Sequence, residues 1–331
     1  MTMNPQPARR RLVLGACASV ATLTPLLARS QTTAWPQRPV RMLVPFPPGG
    51  GADFVARLVA QGLSDRWGQT VVIDNRPGAS TMIAHEAVAK AAPDGYTLVL
   101  AVTNHTSNPA LFGKIPYDTV KDFTPITVLG SAPMVLVVNP RVPAKNLQEL
   151  LALLRERPGK LSYASAGNGS VGHLGGELLK QMTGVDMVHV SYKGTGPAEL
   201  DLLAGHVDLM FTGMVTAVPQ IRAGKMRGIA VGSPGRSSVL PDLPSLEEAG
   251  VAGFESSIWY GILGPAGLPR DIIARIHADV ARVLQASDAR NKLLSQGMEA
   301  IASTPEQFAR QIDTEIARFG KLVKAAGIKS E

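Results

Sequence analysis

From residue 40 onward the chain alternates two hydrophobic rhythms. Residues 40–44 form a short aliphatic run that reads as a buried strand. Phe54, Val55, Leu58, Val59 and Leu63 then fall on one face of a helix. The same reading predicts a strand at 71–73, a helix at 83–91 and a strand at 97–102. An apolar strand at 135–138 stops at Asn139-Pro140, and a second series begins beyond it. That series has helices at 147–155 and 174–182, and strands at 161–164, 187–190, 207–211 and 228–231. Ser245 and Glu248 have capping-box spacing and predict a short helix. A strand at 258–263 follows, then helices at 272–284, 286–296 and 305–325, the last opened by Thr304 as N-cap and Pro305 at the first helical position.

Strands alternating with helices at this spacing are βαβ units and predict an α/β fold with mainly parallel sheets. The break near residue 139 and the returning strand divide the chain into two α/β lobes. Residues 31–138 and 254–331 are assigned to lobe 1, and 139–253 to lobe 2. In such sheets a ligand sits beyond the carboxyl ends of the strands, here in the cleft between the lobes.

The first 30 residues follow neither rhythm. Arg9, Arg10 and Arg11 precede an apolar stretch at 12–27, and Ala28-Arg29-Ser30 fits a small-x-small cleavage site. This is the pattern of a secretory signal peptide cut near Ser30, and it places the protein in the periplasm. The arginine pair also fits a twin-arginine signal, so the export route stays open. Removing Arg9, Arg10, Arg11 and Arg29, with no acid among them, takes the formal charge from +7 to +3. The remaining charge forms no basic block, which argues against nucleic acid as a partner. The single cysteine, Cys17, leaves with the signal. The mature chain then has no thiolate site, and no histidine pair has HExxH spacing, so no metal or cofactor is expected.

Two loops carry the candidate chemistry. Phe46, Pro48, Gly49 and Gly50 lie between the first strand and first helix, in the run Pro45-Phe46-Pro47-Pro48-Gly49-Gly50-Gly51, with Asp53 just inside the helix. Glycines let backbone N–H groups approach a ligand, and a helix start suits an anion; a plain strand–helix turn fits the same pattern. In the second series Ser165, Gly167, Asn168, Gly169 and Ser170 occupy the equivalent place, and His173 follows inside the helix. Gly167, Gly169 and Gly172 match G-x-G-x-x-G, a dinucleotide fingerprint when taken alone. The serine hydroxyls suit a carboxylate equally well. Asn104-His105-Thr106-Ser107-Asn108 and the run from Tyr192 to Pro197 read as polar loops at the same sheet edge.

Together these segments resemble a known family. Val44-Pro45-Phe46-Pro47-Pro48-Gly49-Gly50, Asn75-Arg76-Pro77-Gly78-Ala79, Pro93-Asp94-Gly95-Tyr96, Pro158-Gly159-Lys160-Leu161 and Trp259-Tyr260-Gly261 with Gly264-Pro265-Ala266-Gly267 run in the order found in the substrate-binding receptors of tripartite tricarboxylate transporters, the Bug (Bordetella uptake gene) proteins. The resemblance implies a type II periplasmic-binding-protein fold and a ligand carboxylate held by the loops 46–50 and 165–170, with Tyr192, Thr195 and Gly196 lining the cleft. It implies a monomeric receptor that binds a small carboxylate, closes by a hinge, passes the ligand to transporter membrane subunits and has no catalytic residues. Ser80 and Ala84 stand where relatives usually have glycine, and Thr212-Gly213 where an acidic residue often follows the strand. Two rival readings use the same features: a solute sensor that reports to a receptor kinase, and a nucleotide-dependent periplasmic enzyme.

Overall fold

The computed structural model describes residues 35–326; the expected signal segment lies outside them. Strand β1 (Val40–Val44) is buried at every position but Arg41. Helix α1 (Gly51–Trp67) lays Val55, Val59 and Leu63 into the same apolar cluster as Val40, Met42 and Val44. It ends at Gly68, whose left-handed backbone (φ +62°) lets its N–H reach the Ser64 carbonyl. The chain continues through β2 (Val71–Asn75), a tight turn at Ala79–Thr81, α2 (Met82–Ala89), β3 (Thr97–Val102), α3 (Asn104–Leu111) and the long β4 (Phe123–Val138). Then come α4 (Leu147–Glu156), β5 (Ser162–Ser165), α5 (Val171–Thr183), β6 (Val188–Ser191), α6 (Thr195–Ala204), β7 (Leu209–Gly213), α7 (Met214–Arg222) and β8 (Arg227–Val231). The last elements are β9 (Ser257–Pro265), α8 (Arg270–Gln285), α9 (Ser287–Ser295), β10 (Glu299–Ala300) and α10 (Pro305–Ala326).

The strands run in the order β2-β1-β3-β9-β4-β7-β5-β6, with β8 and β10 also paired to β4. The first part of β4 pairs with β9 and β10, and its last five residues pair with β7 and β8. Pairing is parallel where βαβ units were read: β1 with β2 and β3, β5 with β6 and β7. The expected α/β class holds, but the sheet is mixed. Both β4 and β9 lie antiparallel to every neighbour, because they cross between the two ends of the sheet and are not built into βαβ units.

The C-terminal helices pack back on the first elements. Asp279 of α8 is buried and accepts from Trp67 Nε1 (2.9 Å) and from Arg66, Arg275 and Arg282. Thr304 caps α10 as expected, with Gln307 reciprocating: Gln307 N–H donates to Thr304 Oγ1 and Thr304 N–H to Gln307 Oε1.

Three expectations need correction. Residues 104–108 are the first turns of α3, not a loop, and all five are buried. His105 therefore does not face the cleft. It stacks on His85 at 5.0 Å, packs against Phe123, and its Nε2 bonds the Thr119 carbonyl. Burial holds the His85 imidazole down at about 4, outweighing its bond to the Thr81 carbonyl, and holds His105 well below the ordinary range. The Tyr192–Pro197 run is likewise only half loop, since α6 begins at Thr195. Finally, the Ser245–Glu248 capping box forms in both directions, yet the chain makes only a turn there, closed by Gly250 at φ +100°.

Candidate functional site

The turn before α1 is pinned by Asp53. One carboxylate oxygen accepts the Gly49 N–H (3.1 Å) and Arg57 Nε (2.9 Å); the other accepts Asn75 Nδ2 (3.0 Å). Asn75 Nδ2 also reaches the Phe46 carbonyl, so both ends of the turn hang on one network. Burial raises the Asp53 pKa, but the bonds from Arg57, Asn75 and Gly49 outweigh it and leave the carboxyl below its ordinary value. Gly49 has φ +93°, a backbone only glycine takes readily, and Gly50 serves as N-cap without any side-chain bond. The first-turn amides of α1 therefore have no partner within their helix.

The turn before α5 repeats the plan with other groups. Gly167 (φ +132°) and Gly169 (φ +78°) shape it, and the Gly169 N–H donates to Nδ1 of His173 (3.1 Å). Ser170 is the N-cap, its Oγ accepting the His173 N–H. Beneath the turn, His173 stacks on His189 at 4.1 Å, and Ser165 Oγ lies 2.7 Å from His189 Nε2. Burial, then the charges of His173 and Lys180, hold His189 down to about 3. The Ser165–His189 contact has the spacing of a nucleophile and its base. Ser165, however, is fully buried, outside the cavity, and its Oγ also donates to the Gly167 carbonyl. The pair braces the turn.

Between the two turns lies a cavity of about 40 Å3 open to the centres of water molecules. Five helix starts line it: Gly50–Ala52 for α1, Asn104 for α3, Ser170–Gly172 for α5, Thr195 for α6, and Gly213 with Thr216 for α7. Met134, Met210, Phe211, Ile258 and Tyr260 supply the apolar wall. Among the described residues that line it there is no Asp, Glu, Lys, Arg or His. Each helix start carries about half a positive charge and free N–H groups. The cavity is therefore electropositive without a cationic side chain.

Of the residues expected at the site, Phe46, Gly50, Ser170 and Thr195 line this cavity. Gly167, Asn168 and Tyr192 line an adjoining groove of about 190 Å3 that Phe46 shares. Pro48, Gly49, Ser165, Gly169, His173 and Gly196 line neither. Gly49 and Gly169 turn their amides onto their own helices. His173, expected as a ligand contact, accepts the Gly169 N–H and so shapes its turn. Gly196 and Gly50 approach each other across the cleft. Ser80 also spans it: Ser80 Oγ donates to the Asn168 carbonyl (2.5 Å), Asn108 Nδ2 to the Ser80 carbonyl, and Ser107 Oγ to the Gly169 carbonyl. Asn104, from the polar run placed at this sheet edge, lines the cavity; sequence reasoning missed Gly213, Thr216 and Tyr260 as site residues. The helix start after β7 had a signal, a strand running into Thr212-Gly213, the same strand–glycine–helix order as the other two turns.

Residues 55–328 match the model of the tripartite tricarboxylate transporter family receptor. The protein BugT of Bordetella pertussis is 37% identical over 297 residues, 89% of this chain and 91% of BugT. A solved R. palustris protein with adipate is 38% identical with a TM-score of 0.87, covering 89% of this chain and 99% of that one. MatC from Rhodopseudomonas palustris with bound malate is 37% identical with a TM-score of 0.84, covering 87% of this chain and 99% of MatC.

Proposed function

Because this chain belongs to the tripartite tricarboxylate transporter receptor family, we propose that it captures a small carboxylate in the cavity between its two glycine turns and hands it to transporter membrane subunits. The observation that carries the ligand class is the convergence of five helix starts on a cavity without a charged side chain. Such donors hold a small anion without a counter-cation, and a carboxylate is one that they suit. Bonds to a charged acceptor contribute about 1.5–3 kcal/mol each, so three or four reach the ~8 kcal/mol of micromolar binding. Two of the related structures carry adipate and malate, both carboxylates.

The reading extends to motion and place. Loop 46–50 belongs to the first lobe and 165–170 to the second. The ligand enters when they part and is enclosed when Ser80 and Ser107 meet the second loop. In this reading the lobes are joined at the crossings of β4 and β9, the receptor works as a monomer in the periplasm, and the segment before Gln31 directs its export. It binds and releases, with no chemical step.

Thermal-shift screening against mono-, di- and tricarboxylic, aromatic and amino acids tests this. Ligand at a hundredfold its dissociation constant adds about 2.7 kcal/mol of stability, a visible rise in Tm. The expected result is a shift with one carboxylate class that disappears with its amide analogue. A shift with a nucleotide and with no acid overturns the proposal.

A further inference from the structure

Tyr260 sits on β9 at the floor of the cavity, its residue 2% exposed and its ring within the main apolar cluster. Its hydroxyl points between two helix starts. A Cβ placed on Gly51, the first residue of α1, would lie 2.9 Å from that oxygen, and one on Gly213, the N-cap of α7, would lie 3.6 Å away. Most tyrosine hydroxyls of the described chain are spent within the protein. Tyr163 donates to Glu177 (2.7 Å), Tyr192 to Asp201 (2.6 Å), and Tyr96 accepts the Gln37 N–H. Tyr117 is sealed among His85, His105 and Phe123. Among the described residues the Tyr260 hydroxyl has no hydrogen-bond partner, and unlike the sealed hydroxyl of Tyr117 it opens onto the cavity that it borders.

A hydroxyl that opens only onto a small cavity takes its partner from whatever fills that cavity, water or ligand. Burial raises the Tyr260 pKa, so the group is a neutral donor at physiological pH. The neighbouring hydroxyls are already taken: Thr212 and Thr216 bond each other at 2.8 Å, and Thr216 Oγ1 donates to the Gly213 carbonyl. What remains at this corner are the first-turn amides of α7, which only donate, and the phenol O–H, which is free to donate. Around them stand Met134, Met210, Phe211 and Ile258, which offer a ligand no polar side chain.

We propose that Tyr260 is a specificity-determining residue: with the start of α7 it receives a second oxygen acceptor of the ligand and so selects diacids over monoacids with an apolar tail. The inference rests on the carboxylate reading above and adds the requirement for a second acceptor. Five helix starts with no acid lining the cavity also balance a dianion better than a monoanion.

The test is calorimetric titration of wild type and Tyr260→Phe with straight-chain diacids of four, five and six carbons, each beside the monoacid of equal length. The substitution deletes one oxygen that no described residue bonds and keeps the ring, so packing is retained. Wild type is expected to prefer the diacid, and Tyr260→Phe to lose on the order of 10- to 100-fold on it while changing less than about twofold on the monoacid. Unchanged diacid affinity in Tyr260→Phe overturns the proposal, as does an equal loss on both acids, which marks a packing role. If wild type binds monoacids as tightly as diacids, the second-acceptor claim fails while the carboxylate reading stands. If wild type binds no acid of any class, the carboxylate reading falls and this inference with it. A second measurement needs no variant: with tyrosines labelled at Cζ, one of the five resonances shifts on adding the preferred diacid and stays in place with the monoacid. No shift in any of the five overturns the proposal.

Discussion

In the turn before α1 the Gly49 amide is held by the side chain four residues on, and in the turn before α5 the Gly169 amide is held the same way. The acceptors differ. Asp53 is a carboxylate that also takes Arg57 and Asn75, whereas His173 accepts through a neutral imidazole nitrogen and leans on His189. One backbone shape is thus fixed by an ion in one half and by an uncharged ring in the other. The consequence lies in the field at each helix start. The charge of Asp53, shared with Arg57, offsets part of the positive end of α1, while α5 keeps its full dipole. The first turn is the sturdier of the two; the second presents the stronger attraction to an anion.

Acid has the largest expected effect, acting on His189 beneath the second turn and on His85 and His105 in the first elements. His85 and His189 are held near 4 and 3, and His105 well below its ordinary value, so the folded chain refuses protons that the unfolded chain takes up below about pH 6.5. Stability present at neutral pH is therefore lost as pH falls from 6.5 toward 4. His85 and His189 each contribute up to about 1.4 kcal/mol per pH unit, about 4 kcal/mol for the two by pH 5, and His105 acts in the same direction. Urea midpoints at pH 7.5, 6 and 5 read this, and a flat profile would refute burial of neutral rings.

The next effect breaks the sturdier turn. Asp53→Ala strands the Gly49 amide and Asn75 Nδ2 and is expected to lower unfolding stability by about 2–4 kcal/mol in urea. Arg57→Ala should cost under ~1 kcal/mol, since its side chain is 54% exposed and Asp53 keeps its other donors. Equal losses from the two would mean that the ion pair, not the bond to Gly49, fixes the turn. Smaller still is Ser170→Ala, which removes a cap that Gly50 does not have at all and is expected to cost about 1 kcal/mol. The same urea titration checks it, and no loss would show that His173 alone holds the turn.

Much of this arrangement was legible in the residues, because β1 and β3 are mainly apolar runs and α1 carries a clean stripe. β1 and β3 match their expected bounds. Helix α3 escaped because it has no stripe: Thr106 is buried against Glu315, Ser107 against the Gly169 carbonyl and Asn108 against that of Ser80, with Pro109 inside. A helix buried by polar partners shows no amphipathic rhythm. The first part of β4 went unread; it contains Pro125 and Pro133, residues that a strand seldom holds, and its register is irregular near the first of them. At the site, the glycines revealed where the backbone turns but not which amides face inward. Gly50 and Gly49 are adjacent and alike in sequence, yet Gly50 lines the cavity and Gly49 points its N–H onto Asp53. Tyr260 sat in an apolar strand, and only the three-dimensional path shows its oxygen emerging between Gly51 and Gly213.

The absence of charged side chains around the cavity has an evolutionary consequence. Main-chain donors have no codon of their own. A substitution at Met134, Phe211 or Ile258 reshapes the wall and leaves the amides of α1 and α5 where they are. Wall and grip can therefore vary independently, and a lineage built on this plan can explore new acids one wall residue at a time without passing through a form unable to hold an acid.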